Sequence, residues 1–538
     1  MKKALLMIGG EYHPFESCAK ILADFLKDNG SADCTITTDP NTFTQLQDYD
    51  DMIVYAQGSK LTDNQEKSLC DWVKNGGALV GIHCASDSWV ENQRYMEMIG
   101  SQFKAHGPVT EFLAKISDLS HEITRNINEF RITDEFYIHQ TRTKKDLHWL
   151  MAGHWRGELH PLAYVRKYGK GRVFYTALGH DERAFNHPSF QKLIHRAIFW
   201  TTNSIKPGPV RCGVIGYGDD PGMGKYHTEA IKNTPLMELT AVCDSDPKRC
   251  QAALKKYKNI ETYTEVKELA ASGNVDTAFI VTPHDTHTAI AIELLQAGVG
   301  VICEKPFCIS VDEANKMIEA AHANNTLLTV FHNRRWDNDY LTIKKIIDQG
   351  LIGEVFHIEA CRSEYQHPGY AWRSHKPVSG GAIYDWGAHF VEWILNLVPY
   401  KMESVSGFYS KHIWHDVTNE DHCQAVIRFE GGRSAELEIS SLAAVGKPKW
   451  RILGTKGGIT ADWDSPIYVT SYLRGSQEKI EVPLLETRWE DFYIGIVDHM
   501  LAGEPLHITP ESARRVIAVF EAAEKSSQTG NTEPVPFG

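Results

Sequence analysis

The chain has 538 residues, of which 42% are hydrophobic and 23% charged, and its formal net charge is −13. This length exceeds one ordinary hydrophobic core and predicts two or three domains, with the composition of a soluble globular protein. The negative charge argues against nucleic acid and anionic membranes as partners, because they require clustered basic residues. A small-molecule ligand is favoured instead.

The sequence indicates neither a secretory signal nor a membrane span. The apolar run of residues 1–8 stops at Gly9, too early for a signal peptide, and no apolar stretch approaches about 20 residues. The 11 cysteines are odd in number, scattered and without a CxxC pair. Reduced, buried thiols in a cytoplasmic protein are therefore expected.

The first 205 residues alternate strand-like apolar runs with helical patterns. Such alternation predicts a parallel sheet with helices on both faces, a doubly wound α/β domain over residues 1–205. A segment rich in proline and glycine at residues 203–209 breaks both patterns and marks the main domain boundary. The expected strands are residues 4–8, 52–56, 78–82 and 173–177, and the expected helices are residues 18–27, 63–74 and 188–200.

Histidines are concentrated in this first region, which holds 11 of the 25. Several, including His13, His83 and His180, follow predicted strands, and Asp134 and Glu135 are candidate acidic partners. Three interpretations stay open: a site for a sugar-derived ligand, a divalent metal held by some of these imidazoles with Asp134 or Glu135, or ordinary polar lining. No metal is assigned on this pattern alone.

A glycine-rich turn opens the second region, predicted as a Rossmann-type dinucleotide-binding domain over residues 206–330. A short apolar strand runs into Gly216 and Gly218, a helical pattern follows, and the next strand ends in Asp244. Glycines at such a turn let the backbone approach a pyrophosphate at a helix N-terminus, and the carboxylate can accept both ribose hydroxyls.

The loop of residues 219–223 is longer than the GxGxxG pattern. Either Gly222 or Gly224 can supply the third close approach, and Gly224 is the residue assigned to the cofactor site. The charge of Asp244 would repel a 2′-phosphate, which predicts NAD rather than NADP as the cofactor. The basic residues Lys248 and Arg249 do not overturn this preference.

Two further polar clusters follow strands of the same domain. Thr282, Pro283 and His287 lie beyond one strand, and Glu304 and Lys305 lie beyond the next. Ligands of open α/β sheets bind beyond the carboxyl ends of the strands, so these clusters and the glycine turn are predicted to converge on one crevice. There, the positive charge of Lys305 would favour an alkoxide over a hydroxyl.

Residues 331–538 show longer, alternating strands, which predict an α/β domain with a large open, mostly antiparallel sheet. A closing helix over residues 510–527 has Thr509 as its expected cap. Asp385 and His389 are four residues apart at the start of another predicted helix, so they face the same way. His389 is a suitable base for a hydroxyl proton, and Asp385 would orient it and stabilise its charged form.

Residues 209–535 resemble the glucose-fructose oxidoreductase, inositol dehydrogenase and rhizopine-catabolism (Gfo/Idh/MocA) family. The resemblance implies a nicotinamide-binding Rossmann half, a substrate-binding half that often builds a homodimer or homotetramer, and oxidation of a sugar or cyclitol hydroxyl. Lys305, Asp385 and His389 take the places of the family's catalytic residues, and Arg334 and Trp336 fall where many members contact substrate or nicotinamide. The motifs that carry it are Gly216 and Gly218, Asp244, residues 282–287, residues 304–306 and residues 380–389.

The first region resembles the trehalose-utilisation (ThuA-like) proteins, which are similar in fold to class I glutamine amidotransferases, a flavodoxin-like architecture. In an amidotransferase the elbow after Ile82 would carry a nucleophilic cysteine, but here it carries His83, with Cys84 one position later. A shift of one residue turns the side chain away, so glutaminase activity is not expected. The segments that match are residues 9–14, 76–83, 134–135, 168–172 and 179–181.

The leading hypothesis is an NAD-dependent oxidoreductase that converts a secondary hydroxyl of a sugar, glycoside or cyclitol to a ketone, while the ThuA-like region binds or further processes a related carbohydrate. One alternative keeps the fold without net redox change: a hydride is removed and returned, which allows glycoside cleavage or epimerisation. The other is a non-catalytic sensor of nucleotide and sugar. Replacing His389 by alanine separates enzyme from sensor, because only an enzyme would lose turnover while NAD still binds.

Overall fold

The computed structural model describes residues 1–141, 146–219, 222–473 and 475–538. Its residues form two compact units, one of Met1–Pro207 with Asp498–Pro505 and one of Gly208–Val497 with Leu506–Gly538. Across the described ranges, no helix has the length and apolar character needed to cross a membrane. The 11 cysteines, all within those ranges, are free thiols, and ten of them are buried.

The first unit is built on a nine-stranded sheet. Its strands are β1 (Lys2–Gly9), β2 (Ala32–Thr37), β3 (Asp51–Ala56), β4 (Ala78–Ile82), β5 (Ser101–Ile116), β6 (Phe130–Thr141), β7 (His148–Trp155), β8 (Glu158–Tyr168) and β9 (Gly171–Thr176). Its helices are α1 (Phe15–Asp28), α2 (Asp63–Lys74), α3 (Gln93–Ile99), α4 (Glu182–Phe185) and α5 (Pro188–Thr201).

The strand order is β2-β1-β3-β4-β9-β8-β7-β5-β6. The first five strands are parallel, as the buried apolar runs predict, and the remaining four extend the sheet in antiparallel fashion. Helix α2 begins at the predicted residue because Thr62 and Gln65 form a capping box there. The predicted α/β class of this domain is confirmed, with an antiparallel extension that the sequence did not indicate.

The second unit begins with a six-stranded parallel sheet. Its strands are β10 (Val210–Ile215), β11 (Met237–Cys243), β12 (Glu261–Tyr263), β13 (Thr277–Ile280), β14 (Gly300–Cys303) and β15 (Leu328–Val330). The helices of this part are α6 (Met223–Asn233), α7 (Pro247–Lys256), α8 (Val266–Ala271), α9 (His287–Gln296), α10 (Val311–Asn324) and α11 (Asn338–Asp348).

The order of this sheet is β12-β11-β10-β13-β14-β15, with every pair parallel. In chain order this is the 3-2-1-4-5-6 arrangement of a dinucleotide-binding Rossmann fold, so the predicted fold is confirmed. The direction of winding reverses between β10 and β13. A crevice for a ligand is therefore expected at the carboxyl ends of these two strands.

A second nine-stranded sheet completes this unit. Its strands are β16 (Val355–Ser363), β17 (Met402–Ser410), β18 (His422–Phe429), β19 (Arg433–Ser440), β20 (Trp450–Gly454), β21 (Gly457–Ala461), β22 (Ile467–Ser471), β23 (Glu478–Val482) and β24 (Glu533–Pro534). The accompanying helices are α12 (Lys376–Ser379), α13 (Ile383–Leu397), α14 (Glu490–Ala502) and α15 (Pro510–Thr529).

The order is β23-β22-β21-β20-β16-β19-β18-β17-β24, and all pairs between these strands are antiparallel except β16 with β19. The prediction of a large, mostly antiparallel sheet is confirmed. Helix α15 begins after Thr509, whose hydroxyl accepts the backbone N–H of Ser512. Helix α13 packs closely on β19 and α15, since a Cβ atom at Gly387 would lie 3.3 Å from Phe520 and 3.4 Å from Leu437.

Candidate functional site

The glycine turn follows β10 and needs residues without a side chain. Gly216 and Gly218 have φ values of +91° and +66°, a region that favours glycine. A Cβ atom on Gly216 would lie 2.5 Å from the carbonyl oxygen of Val281, whereas one on Gly218 would meet nothing within 4 Å. The first glycine therefore permits close packing, and the second faces open space.

Both residues between which the sequence left the third close approach pack tightly: a Cβ atom on Gly222 would lie 2.6 Å from the carbonyl oxygen of Asp219, and Gly224 is the one that contacts the glycine turn itself. A Cβ atom on Gly224 would lie 2.3 Å from the carbonyl oxygen of Gly216 and 2.5 Å from that of Tyr217, so glycine lets α6 pack against the turn. Gly222 precedes the helix as its N-cap and brings no side-chain hydrogen bond to the helix end. Of the long loop over residues 219–223, Asp220 and Pro221 lie outside the described residues.

Asp244 lies at the end of β11 beside this turn and is only 5% exposed. Its carboxylate accepts the backbone N–H groups of Gly218 at 3.1 Å and Asp246 at 3.0 Å. The guanidinium of Arg249 lies 3.6 Å from Asp244 and 2.8 Å from Asp219, between two carboxylates. This part of the crevice thus presents a fixed negative charge with a cation close by.

A cavity of about 990 Å³ opens at the carboxyl ends of the parallel strands. It brings together most of the sequence-predicted site residues, from the Rossmann sheet and its loops and from helix α13. Those that line it are Gly216, Gly218, Gly224, Asp244, Thr282, Pro283, Glu304, Lys305, Arg334, Asp385 and His389.

Two of the residues predicted for this crevice do not line it. His287 is fully buried and does not line the cavity; its ring nitrogens lie 3.0 Å from the carbonyl oxygens of Pro306 and Thr282, so it ties together the two segments that do. Trp336 is 8% exposed and packs its ring against Phe492 and His507 instead of facing the cavity. Sequence order placed both residues in the correct segment but could not show which way their side chains point.

Lys305 and Asp385 form an ion pair in the cavity. The ammonium of Lys305 donates to the Asp385 carboxylate and to its backbone carbonyl oxygen, the latter at 3.3 Å. Lys305 is 17% exposed and Asp385 41% exposed, toward the cavity. Burial would raise the pKa of Asp385, but the charge and hydrogen bond of Lys305 lower it to about 2. The expected Asp385–His389 pair is therefore replaced by a Lys305–Asp385 pair.

His389 lies one turn along α13 and is 4% exposed. Burial, and then the positive charges of Lys305 and Arg334, hold its pKa well below the ordinary value of 6.5. The ring of His332 lies 6.5 Å away, and among the described residues Nδ1 of His389 has no hydrogen-bond partner. At neutral pH His389 is consequently held as the neutral imidazole, the form in which a histidine serves as a general base.

The side chain of Glu304 is held in place by buried residues that do not line the cavity. Its carboxylate lies 3.1 Å from Nε2 of His227, whose Nδ1 lies 2.8 Å from the hydroxyl of Tyr493. The same carboxylate accepts the backbone N–H of Lys305 at 3.0 Å. This chain of contacts fixes the backbone from which the Lys305 side chain extends.

The cavity also contains Trp386, Trp489 and His284, which the sequence analysis did not assign to the site. Arg334 stacks on the indole of Trp386, with its guanidinium carbon 4.5 Å from the ring centroid, and lies 5.5 Å from that of Trp489. Nδ1–H of His284 donates at 2.9 Å to the carbonyl oxygen of Ser379, and burial lowers the pKa of His284 to about 3. Adjacency to Thr282 and Asp385 could have indicated His284 and Trp386, but Trp489 lies more than 100 residues from either motif.

A separate cluster occupies the first unit. One ring nitrogen from each of His13, His83 and His180 lies within 4.8 Å of the other two. Burial, and then repulsion from the other two imidazoles, lowers the pKa of His13 to about 3. These are three of the four residues that the sequence assigned to this domain's site.

The fourth residue, Asp134, is not part of the histidine cluster but binds the backbone beside it. It accepts the backbone N–H groups of Gly179, His180 and Glu135 at 2.8, 2.9 and 2.8 Å. The neighbouring Glu135 is the carboxylate that faces the imidazoles: its Oε2 lies 3.5 Å from Nε2 of His83 and 3.3 Å from Nδ1 of His180. Burial would raise the pKa of Glu135, but these imidazoles lower it.

His83 stands at the elbow after β4, with φ of +47°, a strained value for a residue other than glycine. Cys84 beside it is fully buried, and burial raises the pKa of its thiol well above the ordinary value. A protonated, inaccessible thiol is not a nucleophile.

Comparison with known protein families accounts for both units. Residues 3–201 match the ThuA family, described as trehalose utilisation. Residues 210–332 match the Gfo/Idh/MocA oxidoreductase family with a NAD-binding Rossmann fold, and residues 340–460 match the Gfo/Idh/MocA C-terminal domain.

Individual relatives align with the second part of the chain. A scyllo-inositol 2-dehydrogenase (NADP(+)), IolW of Bacillus subtilis, is 24% identical over 61% of this chain and 96% of its own length. A myo-inositol 2-dehydrogenase of Thermotoga maritima is 25% identical over 59% of this chain and 96% of its own length. The crystal structure of a NAD-binding protein from Listeria innocua is 28% identical, covers 61% of this chain and 97% of its own, and superposes with a TM-score of 0.55.

Proposed function

The chain belongs to the Gfo/Idh/MocA oxidoreductase family and carries a ThuA domain in front of it, and from this premise we propose that it oxidises a secondary hydroxyl of a sugar, glycoside or cyclitol to a ketone. The observation that carries the proposal is one cavity that holds an ammonium, a neutral imidazole and a dinucleotide-type glycine turn. These are the groups that removal of a proton and a hydride from a CH–OH carbon requires.

The residues of the crevice fit a nicotinamide dinucleotide. Gly216 and Gly224 give the backbone its close approach, and Gly218 leaves open space. The N-cap residue of α6, Gly222, has no side chain to occupy the N–H groups at the N-terminus of the helix. Asp244 lies where a ribose would be recognised. When bound, the cofactor supplies a carbon that accepts hydride.

Lys305 and His389 have different roles at the hydroxyl oxygen of the substrate. The neutral imidazole of His389 accepts the hydroxyl proton, and the ammonium of Lys305 stabilises the oxygen as it becomes an alkoxide. Asp385 holds the ammonium in place through the ion pair. Its low pKa keeps it ionised across the physiological range, so it does not itself receive the proton.

The substrate class follows from the walls of the cavity and from relatives. The indoles of Trp372, Trp386 and Trp489 provide flat apolar surface, and Arg334 and Arg373 provide hydrogen-bond donors. Such a mixture suits a ring compound with apolar C–H faces and many hydroxyls. Inositol dehydrogenases among the relatives support this class.

We propose NAD as the cofactor, because the carboxylate of Asp244 disfavours a 2′-phosphate. Arg249, 3.6 Å from Asp244, is paired with Asp219 as well and is thus already neutralised. For the ThuA domain we propose a role on a carbohydrate related to the substrate or product of the oxidation. The family's description as trehalose utilisation supports this role.

The test is oxidation by the purified full chain. The protein is incubated with NAD and a panel of glucosides, free sugars and inositols. Formation of NADH is followed by absorbance, and the masses of the products are measured by mass spectrometry. We expect NADH and a product lighter by two hydrogens in equal amounts with at least one compound. No NADH and no ketone across the panel would refute the proposal, and a rearranged or cleaved product without NADH would replace net oxidation by the redox-cycling alternative.

Two variants link the activity to this site. His389→Ala should reduce kcat by about 10²–10⁴-fold while NAD binding stays within twofold, the loss expected for a general base. Lys305→Met should act similarly through the lost charge. The matched controls are His422→Ala on β18 and Lys344→Met on α11, which lie outside the cavity and should keep full activity.

A further inference from the structure

We propose that His13, His83 and His180 of the ThuA domain bind one divalent transition-metal ion of the kind that prefers imidazole ligands, with zinc as the best-fitting member. The three rings converge from separate parts of the chain, and one nitrogen of each lies within 4.8 Å of the others. This site is independent of the oxidoreductase cavity, whose lining residues all belong to the second unit.

The topology explains why these residues meet. His13 follows β1, His83 follows β4 and His180 follows β9, and β1, β3, β4 and β9 are parallel neighbours. Their carboxyl ends therefore lie along one edge, where doubly wound sheets bind their ligands. The strained backbone of His83, with φ of +47°, turns its side chain toward the cluster at this edge.

Hydrogen bonding in the cluster leaves a ring nitrogen with a lone pair available to a metal ion. Nδ1 of His83 lies 2.6 Å from the carbonyl oxygen of Ala177, which can only accept, so Nδ1 carries the hydrogen and Nε2 presents a lone pair. Metal-bound histidines are held in the same way by an outer carbonyl or carboxylate. Nε2 of His83 and Nδ1 of His13 and of His180 are buried and make no hydrogen bond of good geometry among the described residues, although the first and the last face the Glu135 carboxylate at 3.5 and 3.3 Å. Buried nitrogens without a well-formed hydrogen bond are costly unless a ligand satisfies them.

A carboxylate stands next to the three imidazoles. Oε2 of Glu135 lies 3.5 Å from Nε2 of His83 and 3.3 Å from Nδ1 of His180, and its Oε1 lies 2.6 Å from Nδ1 of His106. Asp134 fixes this arrangement through the backbone N–H groups of Glu135 and His180. Glu135 thus provides negative charge beside a cation and lies close enough to become a fourth ligand.

The donor set selects the class of metal. Three nitrogens and one carboxylate suit Zn²⁺ and its transition-metal neighbours, whereas Mg²⁺ and Ca²⁺ take oxygen ligands. Nitrogens around tetrahedral zinc lie about 3.3 Å apart for metal–nitrogen bonds of about 2.0–2.1 Å. Donors that now lie within 4.8 Å of one another would have to close in on the ion. Three histidines with an open side toward solvent, where His180 is 20% exposed, are typical of a catalytic zinc.

The experiment measures metal binding by the full chain. The protein is stripped with a chelator, dialysed, titrated with Zn²⁺ by calorimetry, and separately titrated with Co²⁺ while visible absorption is recorded. We expect the wild type to bind one more equivalent of Zn²⁺ than the double variant His13→Ala/His180→Ala, in which the affinity of that site for Zn²⁺ should fall by at least about 100-fold. The wild type should show visible absorption bands with Co²⁺, and Mg²⁺ should not compete with Zn²⁺ for the site.

The matched control is His154→Ala, an exposed histidine on β7 of the same unit that should bind metal as the wild type does. Equal stoichiometry and affinity in the wild type and the double variant would overturn the proposal, as would no Zn²⁺ binding by the wild type. If the double variant does not fold, the Co²⁺ titration of the wild type decides: absence of visible bands refutes a histidine-bound site. Oxidoreductase activity should be unchanged in the double variant, so this result and the dehydrogenase test fail separately.

Discussion

The Lys305 ammonium donates to the Asp385 carboxylate, and this ion pair connects the end of β14 to the first turn of α13, 80 residues later in the chain. It fixes the direction of the ammonium in the cavity, while Nδ1 of His389 has no hydrogen-bond partner in the part of the chain that the structure describes. The chemistry of the cavity therefore depends on a pair in which one member acts on the substrate and the other positions it.

Replacing Asp385 by asparagine should lower kcat by about 10²-fold, because Lys305 loses the charge that holds it against the developing alkoxide. The dissociation constant for NAD, measured by fluorescence, should change less than twofold. Asp348→Asn, which removes the carboxylate of the surface pair with Lys344, is the control and should be silent. Equal loss of NAD binding and of turnover in Asp385→Asn would indicate a disrupted fold and contradict the positioning role.

The value of kcat/KM should not fall near pH 6.5, where it would fall if the base were a histidine of ordinary pKa. A base works in its neutral form, which is present above its pKa, and the pKa of His389 lies well below 6.5. Activity should therefore stay level between pH 8 and 6, whereas a base with pKa 6.5 would lose about three-quarters of its neutral form at pH 6. In Lys305→Met, whose missing charge no longer depresses the pKa, the residual activity should begin to fall at a higher pH. A fall that begins at an unchanged pH in that variant would argue against coupling between the two groups.

Gly224→Ala should weaken cofactor binding. Its Cβ atom would lie 2.3 Å from the carbonyl oxygen of Gly216, so α6 must move from the turn. Overpacking of this kind costs about 1–3 kcal/mol, and a tenfold loss of NAD affinity corresponds to about 1.4 kcal/mol. Gly446→Ala is the control, because its Cβ atom would meet nothing within 4 Å. Unchanged NAD affinity in Gly224→Ala would show that this turn does not hold the cofactor.

Asp244→Ser should move cofactor preference toward NADP. Removing the carboxylate eliminates repulsion of a 2′-phosphate and releases Arg249 from one of its two carboxylates, Asp219 remaining as the other, so that the guanidinium can also reach the phosphate. The ratio of kcat/KM for NAD over NADP should fall by at least about tenfold, measured with one substrate and both cofactors. Wild-type enzyme that already prefers NADP would refute the assignment of NAD.

Stability of the first unit should depend on Arg196. Its fully buried guanidinium donates to Glu504 and lies 2.8 Å from the carboxylate of Asp498, in the segment that joins this unit from far along the chain. In Arg196→Met, Lys192 is the cation that still pairs with these buried carboxylates. The free energy of unfolding should fall by about 3–5 kcal/mol, the loss expected when one partner of a buried ion pair is removed. Thermal unfolding should show a large decrease in Tm. Arg183→Met, at the exposed pair with Asp181, should leave Tm nearly unchanged.

The sequence was sufficient where one physical pattern dominates. Strands β1, β3 and β4 are buried on both faces and read as continuous apolar runs, and α2 begins at its capping residues. The glycine turn was predictable because glycine is required there by φ and by close approach. By contrast, β5 pairs with β6 through two register shifts, which interrupt the alternation that would have revealed it.

The site was harder to predict where it depends on distant parts of the chain. Spacing indicated that Asp385 and His389 share a helix face, but it could not show that Lys305 lies nearer to Asp385. Trp489 reaches the cavity from near the start of α14 without any local motif. No sequence pattern indicated that Asp498–Pro505 packs with the first unit, because its buried carboxylates look like surface residues until their partners are known.

The most direct test follows the hydrogen that leaves the substrate. A substrate from the panel is deuterated at its reacting CH–OH carbon and incubated with the full chain and NAD, and the mass of the reduced nicotinamide is measured. The account predicts that each NADH formed carries one deuterium and that His389→Ala forms almost none. NADH without deuterium, or ketone formation that persists in His389→Ala, would contradict it.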